Sequence, residues 1–141
     1  MSLKINYNLI IDFANPQNNK ITPKEPLVQG TDVVFDIILL ENAISADIDA
    51  SGTFTAYVVN YNKLDSAFTV LSDDTLTIDT TGLSNANPYI TITGKSLTSN
   101  VGLCSLMIKY EKDNVVSFAN PLQYYVKENP IYDLDLENNN E

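Results

Sequence analysis

Gly30-Thr-Asp-Val-Val-Phe-Asp-Ile-Ile-Leu-Leu-Glu41 is the most apolar stretch of this chain. Val33, Phe35, Ile37 and Leu39 share one face of an extended backbone, and Val34, Ile38 and Leu40 share the other. A period of two reads as a strand, and apolar residues on both sides place it at the centre of a sheet or under a second cover. The same period recurs on either side. Upstream, Ile5, Tyr7, Leu9, Ile11 and Phe13 alternate with Lys4, Asn6, Asn8 and Asp12, which predicts a half-buried strand with Asp12 on its polar face. Downstream, Thr53 to Val59 is rich in β-branched and aromatic residues.

Between these strands lie turn signals. Ala14 to Pro26 carries Asn15-Pro16, Asn18-Asn19, Pro23 and Pro26 and reads as an irregular connection. Shorter strands are predicted at Phe68 to Leu71, Thr75 to Ile78 and Tyr89 to Thr93. Leu103 to Tyr110 puts Cys104, Leu106, Ile108 and Tyr110 on one face. Glu111 to Asn114 turns the chain into Val115 to Phe118, and Asn120-Pro121 marks a break or bulge before Leu122 to Val126, since proline cannot donate to a central ladder. No segment shows a 3.6-residue period over three turns. The reading is an all-β fold, an immunoglobulin-like antiparallel β-sandwich of about seven to nine strands. Residues 1–127 form the sandwich domain, and 128–141 an acidic, Asn-rich tail.

Composition excludes several kinds of function. The 141 residues include eight Lys, no Arg and 18 acidic residues, for a net charge of −10. Phosphate neutralisation needs clustered cations and Arg is the preferred reader of guanine, so nucleic-acid binding is not expected. The negative surplus also opposes docking on an anionic membrane, no apolar run is long enough for insertion, and Met1 to Asn6 shows no secretory h-region. With no His, the usual neutral-pH base and the commonest metal ligand are missing, and no G-x-S-x-G, P-loop or G-x-G-x-x-G occurs. No enzyme activity and no cofactor are expected.

The best metal candidate is Asp47-Ile-Asp49-Ala-Ser51-Gly52, which has the opening of a calcium loop. Its twelfth position is Val58 rather than the bidentate Glu that closes such a cage, so an ordinary strand connection explains these residues. Asp73-Asp74 and the tail acids read as solvated. Cys104 reads as a small buried hydrophobe, with nothing nearby to lower its pKa. Tyrosine is the bias that points to contacts. Tyr124 and Tyr125 are adjacent in a strand, so one faces the core and Tyr125 or its neighbour is available to a partner. In the tail, Tyr132, Leu134 and Leu136 share one apolar face that could add to another protein's sheet.

Three stretches also carry a family resemblance. Val28 to Leu40 has glycine and an acid leading a very apolar strand, although Gly30-Thr31-Asp32 has one residue inserted between them. Ile48 to Tyr57 has a small-residue step into the next strand. Gly102 to Tyr110, then Glu111 to Phe118 and Tyr124 to Val126, has a glycine before an outgoing strand and a turn into the last one. Over residues 4–127 the layout resembles the N-terminal domain of upper baseplate proteins of phages infecting Gram-positive hosts. Members of that family usually continue into helical or coiled segments, whereas this chain ends in its acidic tail. The resemblance implies a non-enzymatic scaffold made in the host cytoplasm and carried in the virion. Its partners would be other virion structural proteins, with homo-oligomer contacts inside the assembly. A head-fibre or capsid-decoration protein is a related alternative, and a cell-surface carbohydrate-binding or adhesin sandwich is another.

Overall fold

The computed structural model describes residues 5–22, 24–48, 51–61, 68–71, 76–84 and 88–131. Its strands are β1 (Ile5–Asp12), β2 (Lys20–Thr22), β3 (Leu27–Val28), β4 (Val33–Glu41), β5 (Ile44–Ser45), β6 (Thr53–Tyr61), β7 (Phe68–Leu71), β8 (Leu76–Asp79), β9 (Tyr89–Gly94), β10 (Gly102–Lys112), β11 (Val115–Phe118) and β12 (Leu122–Lys127). They form two six-stranded sheets. The first runs β2-β1-β4-β9-β8 with β5 added to β4, and the second runs β3-β12-β10-β6-β7 with β11 added to β10. The all-β sandwich read from the sequence is the observed architecture.

The sheets are mixed, where wholly antiparallel sheets were expected. β1 runs parallel to β4 from Ile5↔Val33 to Asp12↔Leu40, and β3 runs parallel to β12 at Leu27↔Val126 and Val28↔Lys127. The cause lies in the connection from β1 to β4. The chain folds back as β2 against β1, crosses to the second sheet as β3, and returns as β4 alongside β1. Such a crossover is what a parallel pair requires. Residues 14–26, irregular by their Asn and Pro turn signals, contain β2, and β3 follows just beyond them; the two strands are three and two residues long. A period of two cannot show in so short a run. These pieces and the two-residue β5 account for the twelve strands seen among the described residues instead of about seven to nine.

The core lies between the sheets. Tyr7, Leu9 and Ile11 of β1, Phe35, Ile37 and Leu39 of β4, and Ile90 and Ile92 of β9 meet Val58, Cys104, Leu106, Ile108, Tyr124 and Val126 of the second sheet. Phe35 is the aromatic hub, with its ring edge-on to Tyr7 at 6.0 Å and to Tyr124 at 5.5 Å. The Tyr124 hydroxyl donates to the Leu97 carbonyl at 2.8 Å, which satisfies its one polar atom inside the core. Cys104 is buried as read, and burial raises its thiol pKa, against smaller opposing hydrogen bonds. Gly52, taken above as the glycine of a strand connection, lies under the Tyr110 ring, where a Cβ would collide with that ring.

Two hairpins use two-residue turns. Asn42 (φ 53°) and Ala43 (φ 70°) join β4 to β5, and Asp113 (φ 54°) and Asn114 (φ 66°) join β10 to β11. Positive φ at both central positions is the type I′ geometry whose twist suits paired strands. Asp and Asn tolerate it, but the Cβ of an alanine there costs roughly 1–2 kcal/mol. Ala43 is held in place by Asp12, whose carboxylate accepts the main-chain N–H groups of Asn42 and Ala43, both at 2.8 Å. Ala43→Gly should therefore stabilise the fold by about 0.5–1 kcal/mol once glycine's greater unfolded-state entropy is subtracted. A lower melting temperature for that variant would show that the alanine methyl makes contacts worth more than the strain.

Asp12 corrects the sequence reading. Placed by alternation on the polar face of β1, it is fully buried. Its carboxylate also accepts from the Ala14 and Asn15 main chains and the Asn18 amide, at 2.8 to 2.9 Å. Two asparagines extend the cluster across to the second sheet. Asn19 accepts from the Asp12 N–H and donates to the carbonyls of Asn120 and Pro121, while Asn120 donates to the carbonyls of Asp12 and Phe13. Asn120-Pro121 lies where the β10 register shifts from Lys109↔Phe118 to Leu106↔Leu122, which leaves one extra residue on the return strand. That is the bulge anticipated at the proline.

Candidate functional site

The two outer faces differ in chemistry. On the first sheet the outer face is polar around Asp36, in the middle of β4. Its carboxylate accepts from Tyr89 at 2.6 Å, Thr91 at 3.3 Å and Asn6 at 3.1 Å. The bond to Asp36 is the main reason the Tyr89 phenol titrates above its ordinary range. Ile38, next on the same face, is 45% exposed, so β4 is central in its sheet without its second face being fully covered.

On the second sheet the outer face carries an aromatic and apolar patch at its middle, with Lys109 opposite Thr55 and Glu111 opposite Thr53 towards the β11 end. Strands β12, β10 and β6 lie side by side, and register sets their outward residues in rows: Tyr125 opposite Leu103, Gln123 and Val59 on either side of Ser105, and Met107 opposite Tyr57. Val59 and Ser105 are buried although they point away from the inter-sheet core. Their neighbours Tyr57, Tyr61, Leu103 and Met107 are each half-buried and form a layer over them. The Ser105 hydroxyl, donating to the Tyr61 hydroxyl at 3.4 Å, satisfies the polar atom beneath that layer. Tyr125, 40% exposed, stands at the margin towards β3. Rigid amphipathic rings over a filled sheet surface are what protein interfaces favour, because such rings lose little conformational freedom on contact.

At the β11 end of the sandwich an open cleft of about 660 Å³ lies between the sheets. Phe13, Ile48, Val115 and Phe118 line it, with acids such as Glu41 and Asp47 also contributing. Among the described residues no group of three or more potential ligands could hold a metal ion. Asp49, the second acid of the calcium-like stretch, lies outside the described residues. No helix among them is long and apolar enough to cross a membrane.

No family model matches the chain, and no curated protein does. Among solved structures, the N-terminal domain of phage TP901-1 ORF48 superposes with a TM-score of 0.52, covering 89% of this chain and 99% of that one, at 9% sequence identity. The likeness is one of fold. It places this sandwich beside a phage domain on architecture that the sequence itself barely shares.

The residues singled out from sequence divide as follows. Tyr124 faces inward and Tyr125 outward, as their adjacency in β12 requires. Tyr132, Leu134 and Leu136 lie outside the described residues; the chain leads towards them from Asn129, whose amide donates to the Gln29 carbonyl at 3.1 Å beyond the end of β3. Sequence reasoning did not find the outer-face partners Tyr57, Tyr61, Leu103 and Met107 as a group. Alternation in β10 gave the facing of Leu103 and Met107, but no signal in the sequence said that β6 and β12 would flank it.

Proposed function

We propose that this protein is a non-enzymatic structural component of a phage particle, a scaffold module of the baseplate or tail that works through protein–protein contacts. The observation that carries the reading is the aromatic and apolar patch on the outer face of the second sheet, with a filled layer beneath it. The fold likeness to the TP901-1 domain and the resemblance of residues 4–127 to upper baseplate domains both support it. In this reading Tyr125 contacts another virion protein, and the tail residues Tyr132, Leu134 and Leu136 add a second attachment by pairing with a neighbour's sheet. Repetition of a modest interface over many symmetric copies supplies avidity, and the net charge of −10 keeps free copies soluble before assembly. The carbohydrate-binding alternative would use the Asp36 face, where three side chains of the protein itself already engage that carboxylate.

Mass spectrometry and immunogold labelling of purified particles test the proposal. The protein is expected in the virion, with label at the tail end. A Tyr125→Asp variant should keep the melting temperature of the free domain within a few degrees and be depleted from particles. Label on heads would favour a decoration protein, label on the cell surface an adhesin, and undiminished incorporation of the variant would mean that the outer face is not the docking surface.

A further inference from the structure

We propose that the open edge of β11 pairs with the same edge of a second copy, joining the second sheets of two sandwiches about a twofold axis. The inference uses the edge of the sheet rather than its outer face, and it stands whether or not the phage reading holds.

Among the described residues β11 is bonded to β10 alone, in the register Lys109↔Phe118 to Lys112↔Val115. Ala119 donates to the Ile108 carbonyl at 2.9 Å. By the alternation of an antiparallel ladder, Ser117 and Val115 also turn their main-chain groups to β10, while Val116 and Phe118 turn theirs away. No other described strand lies on that side. The side chains are exposed as well, 65% at Val115, 45% at Val116 and 55% at Phe118. Unpaired N–H and C=O groups beside exposed apolar side chains form a template for another strand, and proteins usually blunt such edges with lysine, proline or a bulge. Here Val115-Val-Ser-Phe118 carries none of these, and the bulge and Pro121 come only after it.

The symmetry of the strand about Ser117 selects a second copy as the occupant, and the absence of charge on it permits the approach. Two molecules of charge −10 repel over most orientations, and residues 115–121 are a strip without any ionisable group, where like copies can approach with the least repulsion. The strand is also suited to self-pairing. Antiparallel alignment about Ser117 sets Val116 against Phe118 of the second copy and Phe118 against Val116 of the second copy. Both outward-turned residues of each strand then exchange N–H and C=O bonds, four in all, and each phenyl ring lies beside a β-branched side chain on the outer face. Ser117 meets Ser117 of the second copy as a non-hydrogen-bonded pair, with Cα atoms roughly 4.5 Å apart.

Sedimentation equilibrium of the full chain tests this across a concentration series. A reversible dimer is expected to appear by about 100 μM, since a contact of this size is weak. Val116→Pro removes an outward-turned donor and leaves the bonds to β10 in place, so it should keep the monomer's melting temperature and weaken dimerisation about tenfold or more, two intermolecular bonds being lost. Phe118→Lys keeps every main-chain donor and should have a similar effect by placing charge on the strip. Ser117→Cys should form a covalent dimer on mild oxidation, because the pair lies within disulfide reach; the wild-type protein, whose one thiol is buried, should not. A wild-type protein that stays monomeric throughout the series, or a Ser117→Cys variant that does not cross-link, would overturn the pairing. So would a dimer that survives both Val116→Pro and Phe118→Lys unchanged.

Discussion

Phe35→Ala should lower the unfolding free energy by about 3–5 kcal/mol, the range for removing a large aromatic side chain from a packed core. Phe35 is fully buried near the middle of β4, and its ring meets Tyr7 of the same sheet and Tyr124 of the opposite one, both edge-on. The substitution removes apolar area from the interface of the two sheets and leaves a cavity whose walls are strands held by ladders on both sides, which limits collapse. Whole domains are stable by only about 5–15 kcal/mol, so this one change removes a large share. Urea unfolding of wild type and variant measures it. A loss below about 1 kcal/mol would mean that the two sheets repack around the gap and that Phe35 is not a hub of the core.

Asp12→Asn should be comparably damaging, at least about 3 kcal/mol, because buried hydrogen bonds to a charged acceptor are among the stronger ones and the orphaned donors lie out of water. The substitution places an amide nitrogen where an oxygen now accepts from two of five donors. Its pH dependence identifies the mechanism. Burial alone would raise the carboxyl pKa, but the hydrogen bonds from Asn18 and from the main chains of Asn15, Ala43 and Asn42 outweigh it and hold the group well below the usual carboxylate range. A depressed pKa in the fold contributes stability that is fully present above the unfolded-state value, near 3.9, and is lost as pH falls through the folded one. The gap between wild type and Asp12→Asn should therefore be constant from neutral pH down to about 5 and narrow below about 4. A gap that stays constant through pH 3 would show that ionisation of Asp12 is not what holds the turn.

Much of the candidate surface was legible strand by strand. Alternation in Leu103 to Tyr110 assigned Cys104, Leu106, Ile108 and Tyr110 inward, and all four are buried. The adjacency of Tyr124 and Tyr125 required opposite facings, which the structure shows. The outer face as a surface was not legible, because it depends on β12 and β6 flanking β10, and lateral order is set by contacts between residues 16 to 58 positions apart.

The sequence by itself determined the longer strands, their inward faces, the interruption near Pro121 and the absence of any His- or Arg-based chemistry. These follow from the two-residue repeat of an extended chain, from proline's missing donor and from composition. Only the tertiary structure decided the parallel pairing of β1 with β4, since the crossover that produces it runs through strands too short to show a period. It also decided the fate of Asp12. By local pattern that residue belongs to solvent, yet the β4–β5 turn and the segment after β1 close over it and bring five donors to one carboxylate. Two of those donors come from a turn thirty residues further along, and a contact at that separation exists only once the sheet has formed.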